Sequence, residues 1–116
     1  MGVSVKIDIN QNKVQVKINN MWKSGLGMLS SEILNDCNQY CKEDTGMLIA
    51  SSYIHSKLDE GKLIWNTPYA RRQYYKIRTA HTDVNSQARW KWAHFAKSVH
   101  ARDWARAAQK IMEKMK

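Results

Sequence analysis

Residues 3–18 read VSVKIDINQNKVQVKI, and this stretch decides the fold. Val3, Val5, Ile7 and Ile9 alternate with Ser4, Lys6 and Asp8, and Val14, Val16 and Ile18 alternate with Gln15 and Lys17. A side-chain period of two belongs to a strand with one face buried and one face wet. Asn10 to Lys13 between the runs is polar and rich in Asn, which suits a turn, so the spacing predicts a β-hairpin. A hairpin alone is marginal in water, so its apolar face must be covered by another element.

The next element supplies that cover. Leu26, Leu29, Ile33, Cys37, Tyr40 and Cys41 recur at spacings of three and four, which predicts an amphipathic helix from about Met21 to Glu43. Asn19 and Asn20 can cap it, while Gly25 and Gly27 weaken its first turns and place the start near Met28. Glu32, Asn35, Asp36 and Lys42 fall toward the wet side. Asp44-Thr45-Gly46 ends the helix, with Gly46 suited to a positive φ. Beyond it, MLIASSYI (residues 47–54) predicts a short helical turn and then a strand through about Ser52–Leu58. Asp59 to Lys62 reads as a turn and Leu63 to Asn66 as a strand, giving a second hairpin. Pro68 keeps the chain that follows out of a sheet interior.

Tyr69 to Tyr75 fits either a helical turn or an irregular edge, and Thr79 to Gln87 reads as a loop. Trp92, Phe95, Ala96 and Val99 share one helical face. Trp104, Ala108, Ile111, Met112 and Met115 share another, with His100 to Asp103 as a break or bent junction between them. The fold class expected is α+β, one domain over residues 1–116: a small antiparallel sheet of two hairpins packed against one long central helix, with C-terminal helices.

Composition narrows the chemistry. A chain of 116 residues can bury a real core but not also enclose a large cofactor. Cys37 and Cys41, four apart, face the same side of a helix. That spacing is poor for a disulfide, so two buried thiols in a reducing compartment are expected. No apolar run is long enough to span a bilayer, and no apolar N-terminal run of the secretory type is present, so neither a membrane location nor export is expected. His55, His81, His94 and His100 pair with no Cys, His or carboxylate at a metal-site spacing, so no metal and no cofactor are expected. His81-Thr82-Asp83 has the order of an oriented base, but it lacks a nucleophile; side chains tying a loop backbone explain it better. Gly25-Leu26-Gly27 lacks the rest of a dinucleotide fingerprint. The chain is expected not to be an enzyme.

Charge is divided. Residues 1–61 hold six Lys and seven Asp or Glu, a net of −1; residues 62–116 hold thirteen Lys or Arg and three acids, a net of +10, and together they give the overall +9. A half this basic is drawn to polyanions or to acidic protein surfaces. The segment LIWNTPYARRQYYKIRTAHTDVN (residues 63–85) concentrates Trp65, Tyr69, Tyr74 and Tyr75 beside Arg71, Arg72 and Arg78, with Asp83 as its only carboxylate. Aromatics and arginines together mark interfaces, since Tyr and Trp bring contact area and Arg a rigid fork of donors. Trp65, Tyr69, Arg71, Arg72, Tyr74 and Tyr75 are therefore the candidate contact residues. A second feature, Arg102, Arg106, Lys110 and Lys114, recurs every four residues as a basic stripe, either a solvated face or one turned toward a polyanion. Nucleic-acid binding is the competing class, with Trp65, Trp90, Trp92 and the tyrosines as stacking faces; the helical spacing of Trp92, Phe95 and Trp104 assigns those three to a core instead.

The run IWNTPYARRQYY (residues 64–75), followed by HTDVN (81–85) and RWKWAHFAK (89–97), resembles the minor capsid proteins of tailed bacteriophages, within the group of tail-completion and head–tail joining proteins. The likeness runs from Asp44-Thr45-Gly46 to the C-terminal helix. It implies a small α+β virion subunit, assembled in the bacterial cytoplasm, with a mechanical task and no turnover. The partners it implies are copies of the chain itself in a ring, a hexamer among the sizes allowed, and neighbouring neck, connector or tail-tube proteins. Weak non-specific contact with DNA is compatible with the basic half. A basic nucleic-acid-binding protein of phage or prophage origin is the alternative.

Overall fold

A computed structural model of the chain describes residues 3–10, 12–42, 46–77, 85 and 87–114. The expected helix end at Asp44-Thr45, nearly all of the loop Thr79 to Gln87 with its His81-Thr82-Asp83 triplet, and Met115 lie outside the described residues.

The alternating runs form strands β1 (Ser4–Asn10) and β2 (Lys13–Asn19), paired antiparallel with Ile7 opposite Val16. Val14, Val16 and Ile18 point into the core. A third strand, β3 (Lys62–Asn66), adds antiparallel to β2, with Val14 opposite Trp65 and Val16 opposite Leu63, so the sheet order is β1-β2-β3. Helix α1 (Lys23–Gln39) starts earlier than its glycines suggest and has no side-chain cap, Trp22 holding the cap position. Leu29, Ile33 and Cys37 are fully buried along it. The C-terminal segment is one continuous helix, α4 (Trp92–Lys114).

Four expectations are corrected. The second hairpin does not form: residues Met47–His55 are helix α2, followed by one 3-10 turn, Leu58–Glu60. Leu48, Ser51 and Ser52 give α2 a buried stripe at helical spacing, and the Ser51 and Ser52 hydroxyls donate to the carbonyls of Leu48 and Ile49, both at 2.6 Å. Those bonds satisfy the buried hydroxyls within a helix that burial of the stripe selects. The His100 to Asp103 junction neither breaks nor bends away from helix, because His100 packs on Tyr40, their side chains 3.1 Å apart, and Trp104 donates to Asp36 at 2.7 Å. Tertiary contact thus carries α4 through its polar stretch. The longest helix is therefore α4 of 23 residues, not a single central one; α1 and α4 pack together as a pair. Finally, Lys42 is not on a wet side: it is 4 % exposed.

The two sheet edges differ. β1 is an edge strand, with no strand outside it among the described residues; Lys97 of α4 donates to the Val5 carbonyl there at 2.8 Å. The outward amides of β3 are all engaged within the subunit. Lys62 N–H donates to the Lys57 carbonyl at 3.0 Å, Ile64 N–H to Ser56 Oγ at 2.8 Å and Asn66 N–H to Ser51 Oγ at 3.3 Å. Hydroxyls along α2 thus close the edge on which a further strand would add.

Candidate functional site

Sheet, α1 and α4 converge where the chain leaves β3. The Ala70 N–H donates to the Thr67 carbonyl at 3.2 Å across Pro68, and a short helix, α3 (Ala70–Tyr75), follows. Ala70 and Tyr74, four apart on one helical face, are fully buried. Tyr74 meets Trp92 edge to face at 4.6 Å, and Trp92 meets Trp65 in the same way at 6.0 Å. The Trp65 indole N–H donates to Asn38 Oδ1 at 2.8 Å, and the Asn38 amide donates to Ser52 Oγ at 3.0 Å. One buried polar chain therefore ties β3, α1 and α2 together.

That packing corrects the contact set. Trp65 and Tyr74 are fully buried inside the subunit, so neither can touch a neighbour; their aromatic area is spent on the core. Tyr69 is half-buried against the same core. With one face of α3 committed inward, Arg71, Arg72 and Tyr75 are left outside. They line an open groove of about 590 Å³ with Pro68, Lys76 and, from the β1–β2 turn, Asn12. Among the described residues three cations line it and no carboxylate does.

The groove wall is braced from behind. Buried Lys42 donates through Nζ to the carbonyl of Gln73 at 2.9 Å and to that of Lys76, placing a cation at the carbonyl end of α3. The Lys91 N–H donates to the Tyr74 carbonyl at 2.6 Å. Asn85 donates to the carbonyls of Gln39 and Cys41, at 2.8 and 2.9 Å, and so docks the approach to α4 on the end of α1. Arg71 and Arg72 are thus mounted on a fixed support, which reduces the ordering cost of any contact they make.

Titration reinforces the structural character of the region. Burial pushes the Tyr74 phenol well above its ordinary range. Burial, then the nearby Asp36, pushes the Cys37 thiol up, so it stays protonated and is no nucleophile. Burial, then Lys91 and Lys97, holds His94 below its ordinary value. Among the described residues no group of three or more His, Cys, Asp or Glu could hold a metal ion, and no helix is long and apolar enough to cross a membrane.

The stripe Arg102, Arg106, Lys110 and Lys114 is exposed on α4, as its spacing requires. Arg106 and Lys110 share a second groove, of about 430 Å³, with Glu32 and Asp103, so acid is interleaved with base there. Buried Lys42, the Asn38 bridge and the serines that close β3 were not visible to sequence reasoning. Periodicity reports which side of an element a residue occupies, not what its polar end meets.

The fold is a small α+β subunit with an open cationic groove backed by the packed core. The chain belongs to the minor capsid protein family, which matches residues 3–112, and is thereby a phage structural protein of the virion. No curated protein and no solved structure matches it.

Proposed function

We propose that this subunit forms a ring at the head–tail interface of a tailed phage, as a neck or tail-completion component assembled in the host cytoplasm. Copies of the chain and adjoining neck, connector or tail-tube proteins are its partners. The groove lined by Arg71, Arg72, Tyr75 and Lys76 carries this reading: a cationic, partly aromatic surface, without acid among the described residues and fixed to the core, has the composition of a protein contact. The oligomer closes head to tail, which places unlike surfaces against one another and generates rings.

The test is a double reversal. R71E/R72E is expected to abolish joining of heads to tails in particles while leaving the circular-dichroism spectrum and the unfolding midpoint of the purified chain unchanged, because both side chains are exposed. Normal joining by that variant would remove the groove from the contact.

A further inference from the structure

We infer that the turn Asp59-Glu60 of one copy seats in the Arg71/Arg72 groove of the next copy. This rests on the ring reading and names the contact within it.

Three observations lead there. First, the sheet places the two surfaces at opposite ends. Lys17 is opposite Lys62 and Lys13 is opposite Asn66, so the turn precedes β3 at one end while Asn12 and Pro68 line the groove at the other. Five residues of strand, roughly 17 Å, separate them. They cannot meet within a subunit, yet repeating the subunit along that direction brings one against the other, as a heterologous contact requires.

Second, the chemistry is complementary and the occupant is shaped in advance. Asp59 and Glu60 are both exposed and form the only adjacent acidic pair among the described residues. The Gly61 N–H donates to Leu58 O at 3.0 Å, Gly61 O accepts from Ile18 N–H at 2.9 Å, and Lys17 Nζ donates to Glu60 O at 3.2 Å. Gly61 sits at φ 71°, which a side chain would disfavour. Among the described residues the Glu60 carboxylate pairs with the partly exposed Lys62, at 3.5 Å, a pairing that a guanidinium fork exceeds. Most other described acids have neighbours of their own: Asp36 accepts from Trp104, Asp103 lies 3.4 Å from His100, Glu113 accepts from Gln109, and Glu32 shares a groove with Arg106 and Lys110; Asp8 stands singly on β1.

Third, the obvious alternative is closed. Strand addition in a head-to-tail ring needs the outer edge of β3, whose amides at Lys62, Ile64 and Asn66 are already bonded. Pairing through β1 alone joins like to like and stops at a dimer.

The experiment uses the full chain in phage particles, scored as the fraction of heads joined to tails. D59K/E60K and R71E/R72E are each expected to lower joining at least tenfold, and the fourfold variant to recover at least tenfold over either. If the fourfold variant folds, by circular dichroism, yet joins no better than the two reversals, the assignment of the turn is overturned while the groove remains a contact. If R71E/R72E joins normally, the ring reading itself fails. Should the fourfold variant not fold, the neutral pairs D59N/E60Q and R71Q/R72Q decide. Losses that do not add when combined support the contact, and losses that multiply overturn it.

Discussion

Tyr74 and His94 lock α3 to the start of α4 through a reciprocal arrangement: the phenol hydrogen-bonds His94 Nδ1, and the phenol oxygen accepts from the His94 backbone N–H at 3.1 Å. The ring nitrogen is an acceptor here only when His94 is neutral. This fits the direction in which burial and the neighbouring Lys91 and Lys97 move it.

A pH dependence follows. His94 binds its proton more weakly folded than unfolded, so the unfolded chain takes up more protons as pH falls past the ordinary value of 6.5. Stability is present above that pH and declines below it. His94→Asn, which keeps an acceptor without a titrating ring, is expected to flatten this part of the curve. Urea denaturation of both proteins between pH 7.5 and 5, chosen to span roughly the His range, checks it. Equal slopes would contradict it.

The buried bridge at Asn38 is expected to be costly to remove. Asn38→Ala strands the Trp65 indole N–H in the core, a loss of about 2 kcal/mol. Denaturation at neutral pH measures it, and a change within about 0.5 kcal/mol would show that water or a neighbour replaces the amide.

The closed edge of β3 gives a prediction about self-association. Ser51→Ala with Ser56→Ala frees the outward amides of Asn66 and Ile64. The double variant is expected to lose about 1–2 kcal/mol and to scatter light at concentrations where the parent does not. A stable variant that scatters no more than the parent would show that α2 covers the edge by bulk alone.

Weak duplex DNA binding, falling steeply with salt, is expected from the basic half and its exposed stripe. Filter binding at increasing salt measures it. Tight, sequence-selective binding at physiological salt would favour a nucleic-acid regulator.

Legibility differed by element. The β1–β2 hairpin could be read because every second residue from Val3 to Ile9 and from Val14 to Ile18 is apolar, and the strands found start or end within a residue or two of those runs. The stripe from Leu26 to Cys41 is buried throughout, although α1 itself ends at Gln39, short of the Glu43 expected. Residues 47–55 could not be read as helix, since Tyr53 and Ile54 favour strands and two of the three buried positions on the helical stripe, Ser51 and Ser52, are polar. Of the expected face Trp92, Phe95, Ala96 and Val99, the first three face inward but Val99 is half exposed. At the candidate site, composition marked a block but could not divide it into core and surface. Trp65 and Tyr74 carry the same interface signature as Tyr75, and only the pairing of Tyr74 with Trp92 separates core from surface.

The most direct measurement is an electron cryo-microscopy reconstruction of the virion at the vertex that carries the tail. The expected result is a closed ring of this chain between head and tail, with Arg71 and Arg72 of each copy against its neighbour. Finding the chain elsewhere in the particle, or in place with both arginines turned to solvent, would contradict the proposal.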